Sequence, residues 1–339
     1  MPLSPQVSVL VPVFNGARFL RESLDSILDQ TYSNFEIIVL DDASTDETPE
    51  IIRSYGDRVR CIRQPTNRGI YENVNAGIRE ARGSLIATYH ADDIYHPEIV
   101  EREVGAFERF PSAGAVFCSD IFVDETGREY GRLTLPQEVR GGQPLSFPTV
   151  FNALLSHKNS FLRCPSAMVR ADVHARVGLY RQELFRNTSD LDMWIRIAQE
   201  SPIVILEEHL YRYRHFAGQS SKRYQHLRTQ PENYFAIMDH HLAAGSEAVA
   251  TRGALRDYEA HRCRDRLMAA VAFYVTDRQR EARATLADVS LPALARSPRV
   301  QSWRLSLLTV LLRILVRLPR VTPLKTAFRR RWFARTVAS

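Results

Sequence analysis

The sequence predicts an α/β fold in which a doubly wound, mostly parallel sheet is followed by a helical C-terminal region. The β-branched run at residues 7–11 is typical of a strand buried on both faces. Such strand signals alternate with helically spaced apolar residues through the first half of the 339 residues, an order that predicts parallel strands covered by helices. Strand signals stop after Ser221, beyond which the pattern is helical.

The predicted elements follow one another in a regular order. Asn15-Gly16 turns the chain after the first strand, and the next apolar residues recur at helical spacing. The second strand ends at Asp41-Asp42, and Pro49 suits the first turn of the helix after it. Between residues 141 and 178 the pattern loosens, so we expect loops and one short strand there. The predicted strands are 7–11, 35–40, 59–62, 84–88, 115–122, 165–170 and 203–206, and the later predicted helices are 190–199, 263–274 and 278–286.

Composition indicates a globular protein of the cytoplasm. Hydrophobic residues make up 45% and charged residues 25% of the chain, which excludes a disordered class. The first residues lack a basic segment, so the apolar run favours a first strand over a signal peptide. The cysteines form no Cys-x-x-Cys pair, so we expect reduced thiols instead of a zinc site or a disulfide framework. They are Cys61, Cys118, Cys164 and Cys263.

Two adjacent carboxylates, Asp92 and Asp93, follow the predicted strand 84–88. Open α/β sheets bind ligands at the carboxyl ends of their strands. Because neighbouring like charges repel, we expect a cation to neutralise this pair. A hard cation with oxygen ligands suits a diphosphate, which points to Mn²⁺ or Mg²⁺ and a nucleotide-linked substrate.

Three further positions are candidates for nucleotide binding at the same sheet edge. Asp42 follows the second strand, where its carboxylate could accept hydrogen bonds from a base or a ribose; the alternative is a turn that caps the next helix. Phe14 ends the first strand and could stack on a base, although a core position is the alternative. Arg68 could meet a diphosphate, or it could simply be a solvated arginine.

Two later segments could carry the chemistry. Asp190 lies at the start of a predicted helix, where it could act as a general base or merely cap the helix. Asp192 could be structural, paired with Arg196 one turn along. After the last strand, Arg214 and His215 could close over a diphosphate or, in the case of the histidine, bind a metal.

Taken together, these motifs resemble the family-2 inverting glycosyltransferases of the GT-A fold. The resemblance covers residues 7–221, and its specificity comes from six short motifs in the family's order. They are Val-Ser-Val-Leu-Val-Pro-Val-Phe-Asn, Asp-Asp-Ala-Ser-Thr-Asp, Asn-Arg-Gly, Ala-Arg-Gly-Ser-Leu-Ile, Ala-Asp-Asp and Ser-Asp-Leu-Asp-Met-Trp.

The resemblance implies a role for each candidate residue. Asp190 would be the catalytic base, Asp93 would hold the metal, and Asp92 would lie near the ribose and the metal. The nucleotide would be bound by Pro12, Phe14, Asn15, Asp42 and Arg68. Three positions depart from the family pattern: His90 stands where many members have the first Asp of Asp-x-Asp-Asp, Ser189 stands where many have Glu, and Phe216 occupies the register of a family histidine.

The basic charge of the protein belongs to residues 301–339. This tail holds nine basic residues and no acidic one, so the net charge of +6 leaves the remaining chain at −3. The apolar stretch 303–318 is shorter than the roughly 20 residues that span a membrane. Its polar residues share one face, and its Leu and Ile side chains occupy the others, as in an interfacial helix on anionic lipid. The alternative is a helix that packs on the catalytic body with its arginines in solvent. The polar face comprises Ser306, Thr309, Arg313, Arg317 and Arg320, and a basic aromatic cluster follows at 328–333.

The sequence therefore predicts a glycosyltransferase that uses a nucleotide-sugar donor, most simply UDP-linked, and a glycan or lipid-linked acceptor. We expect a catalytic domain at 1–222, a helical region at 223–300 and a membrane-surface tail at 301–339, on the inner face of the cytoplasmic membrane. The basic clusters of the tail would also suit nucleic-acid binding, but nothing else in the chain supports it, so we expect no nucleic-acid partner. Two alternatives are a nucleotidyltransferase, which would favour a Gly-rich, Lys-bearing phosphate loop that residues 11–16 lack, and a degenerate sugar-nucleotide-binding scaffold.

Overall fold

The computed structural model describes residues 6–216, 228–297, 299–300, 302–317 and 326. The chain divides into two compact units, Met1–Phe216 and Ala217–Ser339. The expected three-part division at residues 222 and 300 stays a prediction.

The first unit is built on one mixed sheet, which confirms the predicted α/β class. The strand order is β3-β2-β1-β4-β8-β6-β9-β5, with β7 paired to β6. Six of the nine strands in the described residues (β1, β2, β3, β4, β6 and β9) run in one direction, so the sheet is mostly parallel. The strands are β1 Val7–Val13, β2 Phe35–Asp41, β3 Arg60–Arg63, β4 Leu85–Thr88, β5 Ile94–Tyr95, β6 Ala115–Val123, β7 Glu129–Arg132, β8 Ala167–Arg170 and β9 Ile203–Arg214.

Helices cover this sheet because each has an apolar stripe to bury. In the first of them, Leu20, Leu24 and Ile27 pack into the same core as the strands, as their spacing predicted. All seven residues of β1 are buried, which explains its unbroken apolar sequence. The helices of this unit are α1 Ala17–Leu28, α2 Thr48–Ser54, α3 Ile70–Glu80, α4 Ile99–Arg109, α5 Phe147–His157, α6 Ala171–Val177, α7 Gln182–Phe185 and α8 Ser189–Glu200.

Two expectations were wrong in detail. Helices α5 and α6 lie where we expected only loops and a short strand. Pro148 occupies the first turn of α5, where a proline needs no amide partner. β9 runs to Arg214, eight residues beyond the predicted strand end at Leu206. It extends because its second half pairs with β6 on one side and with the two-residue β5 on the other.

The second unit is helical, as predicted, and the expected hairpin is present as its second and third helices. Its core is formed by residues such as Leu267, Val271, Leu286 and Leu294. The helices are α9 Asn233–Ala243, α10 Arg252–Val275, α11 Gln279–Ala287, α12 Leu291–Arg296 and α13 Ser302–Leu315.

The last helix, α13, is oriented differently from the expectation. Thr309 is fully buried and Arg313 donates hydrogen bonds to the carbonyls of Leu286 and Val289, so this part of the polar face is turned toward the unit's interior. An apolar stripe is instead exposed, comprising Trp303, Leu307, Val310, Leu311 and Ile314. Arg320 and the cluster at 328–333 lie outside the described residues. In the described part of the chain, no helix is long and apolar enough to cross a membrane.

Candidate active site

The carboxylates of Asp92 and Asp93 lie in the turn between β4 and β5, at the carboxyl edge of the sheet. Asp93 is fully buried, and its Oδ1 accepts a 2.8 Å hydrogen bond from the backbone amide of Arg214, whereas its Oδ2 has no partner. Burial raises the pKa of Asp92 to about 6. Burial, followed by the charge of Asp92, raises the pKa of Asp93 well above its ordinary value. A cation would relieve the cost of ionising both.

His90 completes a group that fits a divalent cation. One ligand atom from each of His90, Asp92 and Asp93 lies within 4.8 Å of the others. Burial lowers the pKa of His90 to about 4, so the imidazole is neutral and keeps a lone pair for a metal, and its buried Nε2 has no hydrogen-bond partner. Two carboxylates and one imidazole are donors that suit Mn²⁺, whereas oxygen donors alone suit Mg²⁺.

Arg214 orients the turn that carries Asp92 and Asp93, and its guanidinium forms an ion pair with Glu22. Its buried guanidinium donates to Oε2 of Glu22 at 2.6 Å and to the carbonyl of Asp92 at 3.0 Å, and it lies 4.6 Å from the centre of the Phe19 ring. Together with the amide bond to Asp93, these contacts fix the turn that carries Asp92 and Asp93. Arg214 is therefore placed as a positioning residue, and a role at the diphosphate stays a prediction.

The side chain of His215 contacts aromatic residues. Its ring stacks on Phe122 at 5.6 Å between centroids and meets the Tyr130 hydroxyl, and its amide donates to the Val123 carbonyl at 2.8 Å. The described group of possible metal ligands does not include it. Metal binding by His215 stays a prediction.

Asp42 shapes the turn that carries Arg68. It is 3% exposed, and its two oxygens accept hydrogen bonds from the amides of Arg68 at 2.8 Å and Gly69 at 2.9 Å. Gly69 has φ +89°, a conformation that favours glycine. The Arg68 side chain is exposed, so its guanidinium is available to a ligand at this edge.

The residues expected near a nucleobase occupy the end of β1. Phe14 is 50% exposed, which excludes the alternative of a core position and leaves its ring face accessible. Asn15 has φ +50°, and its Oδ1 accepts from the Thr45 amide at 2.8 Å, which joins this end of β1 to the loop after β2. Pro12 is buried within β1 beside Leu40, so it packs in the sheet next to this edge.

Asp190 lies in the first turn of α8 with the electrostatics of a general base. Burial raises its pKa to about 6, while the Leu191 amide, the neighbouring Tyr71 hydroxyl and the charge of Arg163 oppose this rise. A carboxylate with a pKa of about 6 is largely deprotonated at physiological pH and is still basic enough to take a proton. Asp192 is fully buried and pairs with Arg196 at 2.9 Å, which confirms the structural role predicted for it.

A family profile described as "Glycosyl transferase family 2" matches residues 8–178, half of the chain. The chain belongs to glycosyl transferase family 2. An uncharacterised glycosyltransferase of Rickettsia prowazekii (strain Madrid E) is 30% identical over 219 residues, which are 64% of this chain and 66% of that protein. The putative glycosyltransferase EpsE of Bacillus subtilis (strain 168) is 32% identical over 220 residues, 63% of this chain and 74% of EpsE.

The chain matches only part of several curated relatives. Alignments to two further Rickettsia glycosyltransferases, from R. felis and R. typhi, cover 36% and 64% of those proteins. The chain therefore spans between about a third and two thirds of the length of such relatives.

Solved structures of other glycosyltransferases share the family-2 fold of this chain. S. aureus TarS 1–349 superposes with a TM-score of 0.60 at 16% identity over 92% of this chain and 90% of TarS, and it has also been crystallised with UDP-GlcNAc. The mannosyltransferase PcManGT of Pyrobaculum calidifontis, solved with GDP-Man and Mn²⁺, gives 0.52 at 18% identity over 92% of this chain and 88% of PcManGT. The predicted GT-A fold is confirmed.

Sequence reasoning missed several polar residues of this family-2 site. Tyr71 and Arg163 carried no motif, and both act on Asp190 from elements distant in sequence. Asp120 carried a signal that was available, because it is a carboxylate in the otherwise apolar strand β6. Tyr211 lies beyond the predicted strand end at Leu206, and it is buried in β9.

Proposed function

We propose that this chain is an inverting glycosyltransferase that transfers a sugar from a nucleoside diphosphate donor, most simply a UDP-sugar, to a hydroxyl of a glycan or lipid-linked acceptor. The observation that carries the proposal is Asp190, a carboxylate whose pKa of about 6 suits a general base. It belongs to the same unit as the His90, Asp92 and Asp93 group, whose ligand atoms fit a divalent cation. Relatives solved with UDP-GlcNAc and with GDP-Man and Mn²⁺ support the donor class.

In the proposed reaction, Asp190 accepts the proton of the acceptor hydroxyl. The hydroxyl oxygen forms a bond to the anomeric carbon as the bond from that carbon to the diphosphate oxygen breaks, with both electrons leaving on the diphosphate. Attack from the face opposite the leaving group inverts the anomeric configuration. Burial of Asp190 contributes by keeping its carboxylate poorly solvated and therefore basic.

A divalent cation, Mn²⁺ or Mg²⁺, would be held by Asp93 and Asp92 with His90 as a third ligand. When bound, such an ion neutralises the charge that develops on the departing diphosphate. The chain's own contribution is the rigid placement of the ligands, because the Arg214 amide holds one oxygen of Asp93 and leaves the other free.

The nucleoside would lie across the ends of β1 and β2. The exposed ring of Phe14 offers a stacking surface for a base, and the exposed guanidinium of Arg68 offers a positive charge to a phosphate. Each oxygen of Asp42 accepts one backbone amide from the Arg68 turn and keeps a second lone pair, so Asp42 would hold this turn and also accept a hydrogen bond from the base or the ribose.

We further propose that the exposed apolar stripe of α13 binds an anionic membrane surface. Trp303, Leu307 and Ile314 are between 54% and 68% exposed, so their burial in lipid would be favourable. The nine basic and no acidic residues of 301–339 supply the charge complement to anionic headgroups. This position, on the inner face of the cytoplasmic membrane, suits the assembly of cell-surface polysaccharide or lipopolysaccharide from lipid-linked acceptors.

A thermal-shift screen tests the proposal, using UDP, GDP, dTDP and CDP, each with and without Mn²⁺. We expect a metal-dependent rise in melting temperature for one nucleotide, since a ligand that binds only the folded state stabilises it. Turnover of the matching sugar nucleotide then distinguishes an enzyme from a degenerate scaffold that binds the donor without transferring the sugar. This alternative arises because His90 replaces an aspartate of the family's metal motif. The absence of any shift would contradict the donor site as proposed.

A further inference from the structure

A group of buried polar atoms in the first unit has no hydrogen-bond partner. It comprises both carboxylate oxygens of Asp120 in β6, the hydroxyl of Tyr211 in β9 and Nε of Arg163 in the segment before β8. Asp120 is 0% and Tyr211 is 1% exposed. Buried polar groups in folded proteins almost always have a partner, so several orphaned atoms in one place require partners that water or a polar ligand would supply.

The strand geometry brings these side chains together. Asp120 and Tyr211 are cross-strand partners in the parallel β6–β9 pair, and the register shifts on both sides of the neighbouring Ser119. Irregularities of this kind change the direction of side chains and are frequent beside active sites. The guanidinium of Arg163 lies 5.6 Å from the Phe122 ring and 5.4 Å from the Tyr213 ring, contacts that hold it in place.

The group also lies near both parts of the candidate active site. The charge of Asp120 acts on the Asp93 carboxylate, and the charge of Arg163 acts on both Asp120 and Asp190. Because charge interactions weaken with distance, the group lies within reach of both the Asp92–Asp93 turn and Asp190.

Building on the proposed function, we propose that Asp120, Tyr211 and Arg163 form the subsite for the transferred sugar ring of the donor. The Asp120 carboxylate accepts hydrogen bonds from two neighbouring sugar hydroxyls, one at each oxygen. The Tyr211 hydroxyl and Arg163 Nε donate to oxygens of the same ring. The subsite therefore favours sugars with a pair of adjacent hydroxyls, and it contributes nothing to binding of the nucleoside diphosphate alone.

Isothermal titration calorimetry with the full chain in Mn²⁺ tests this assignment. The probes are UDP-GlcNAc, UDP-glucose, UDP-galactose and GDP-mannose, each compared with its free diphosphate. For the sugar nucleotide that binds the wild type, we expect Asp120→Ala to weaken binding by about 10- to 100-fold, since hydrogen bonds to a charged group are strong. Binding of the free diphosphate should change by less than about twofold.

Two further variants keep the test decisive. Tyr211→Phe removes only the orphaned hydroxyl, and we expect sugar-nucleotide binding to weaken by about three- to tenfold. Glu103→Gln is the matched control, because it removes a buried carboxyl from α4 outside the group, and it should leave both affinities unchanged.

Each remaining outcome contradicts the inference. Equal weakening of sugar nucleotide and free diphosphate by Asp120→Ala would assign Asp120 to the metal or nucleotide. Unchanged donor binding with a raised KM for the acceptor would assign the subsite to the acceptor sugar. If the wild type binds UDP or GDP but the sugar adds no affinity, the subsite fails while the proposed function stands. If the wild type binds none of the probes and neither diphosphate, the proposed function fails as well.

Discussion

The hydroxyl of Tyr71 in α3 donates to the carbonyl of Asn187 at 3.4 Å, and it also lies beside the Asp190 carboxylate in α8, whose pKa it holds down. The amide of Tyr71 in turn donates to Oε1 of Gln182 at 2.9 Å, and Nε2 of Gln182 donates to the carbonyl of Arg68 at 2.6 Å. The N-terminus of α3 therefore connects the Arg68 turn, which is proposed to face the nucleotide, with the proposed base Asp190. We expect loss of the Tyr71 hydroxyl to change the pKa of Asp190.

Tyr71→Phe should therefore move the acidic limb of the kcat/KM profile to higher pH. The Tyr71 hydroxyl stabilises the charged form of Asp190, so removing this hydroxyl raises a pKa that is already about 6. Activity requires the deprotonated base and falls as pH drops through that pKa. At pH 6 we expect about two- to fivefold lower kcat/KM than wild type, and near-equal values at pH 8. An unshifted limb would mean that Asp190 does not titrate in the profile.

Asp190→Asn should separate chemistry from binding. The amide keeps the shape of the side chain but cannot accept the proton of an acceptor hydroxyl. We expect kcat to fall by about 10²-fold or more, with the affinity for donor and Mn²⁺ measured by calorimetry unchanged. Asp192→Asn is an unsuitable control, because Asp192 pairs with Arg196 in the core. Near-normal turnover would remove Asp190 from the mechanism.

The sequence revealed the parts of this site that follow local rules. Asp42, Asp93 and Phe14 come directly after apolar strand signals, and the carboxyl ends of parallel strands meet at one edge of a sheet. Asp190 was recognisable because a helix start has a clear pattern and the surrounding motif resembles a family. These residues needed no knowledge of long-range pairing.

The parts that the sequence did not reveal depend on contacts between distant segments. The second half of β9 is a strand because β5 and β6 lie on either side of it, which no local propensity encodes. The ion pair of Arg214 is with Glu22, which lies nearly two hundred residues earlier in the chain. The pairing of Asp120 with Tyr211 depends on register shifts that a single sequence does not display.

Glu103→Gln should stabilise the protein increasingly as pH rises. Burial raises the pKa of Glu103 well above its ordinary value, although the Tyr89 hydroxyl donates to it at 2.8 Å. Above about pH 4.5 the unfolded chain releases this proton and the folded chain does not, so the wild type loses stability until the folded pKa is reached. Glutamine does not titrate. We expect its melting temperature, relative to wild type, to rise between pH 4.5 and pH 8, by an amount equivalent to about 1 kcal/mol or more.

A flat difference in melting temperature across this range would contradict the buried, protonated state of Glu103. Donor binding provides the accompanying control, because the only partner described for its carboxyl is Tyr89 and its substitution should leave binding of nucleotide unchanged.

Asp93→Asn should abolish the response to Mn²⁺, and His90→Ala should weaken it. Asp93 offers its orphaned Oδ2 to the ion, whereas His90 offers one neutral nitrogen. We expect the Kd for Mn²⁺, measured by electron paramagnetic resonance without substrate, to rise by about tenfold in His90→Ala and beyond detection in Asp93→Asn. His90→Asp should shift preference from Mn²⁺ toward Mg²⁺, because it replaces a nitrogen donor with oxygen. Wild-type Mn²⁺ affinity in His90→Ala would exclude the imidazole as a ligand.

Substitution on the exposed face of α13 should release the protein from anionic vesicles. Deleting the helix would be a poor test, because Leu312 and Leu315 are buried in the core of the second unit. Leu307→Glu combined with Ile314→Glu changes only exposed positions, so folding should be retained. Each exposed leucine or isoleucine contributes about 1.5–3 kcal/mol when it is buried, so we expect partitioning in a flotation assay to fall by at least about tenfold. Leu184→Glu, on an equally exposed leucine of the first unit, is the matched control and should float like wild type. Equal flotation of the double variant would exclude the stripe as the membrane contact, and equal binding of the wild type to neutral vesicles would exclude the basic tail as a contributor.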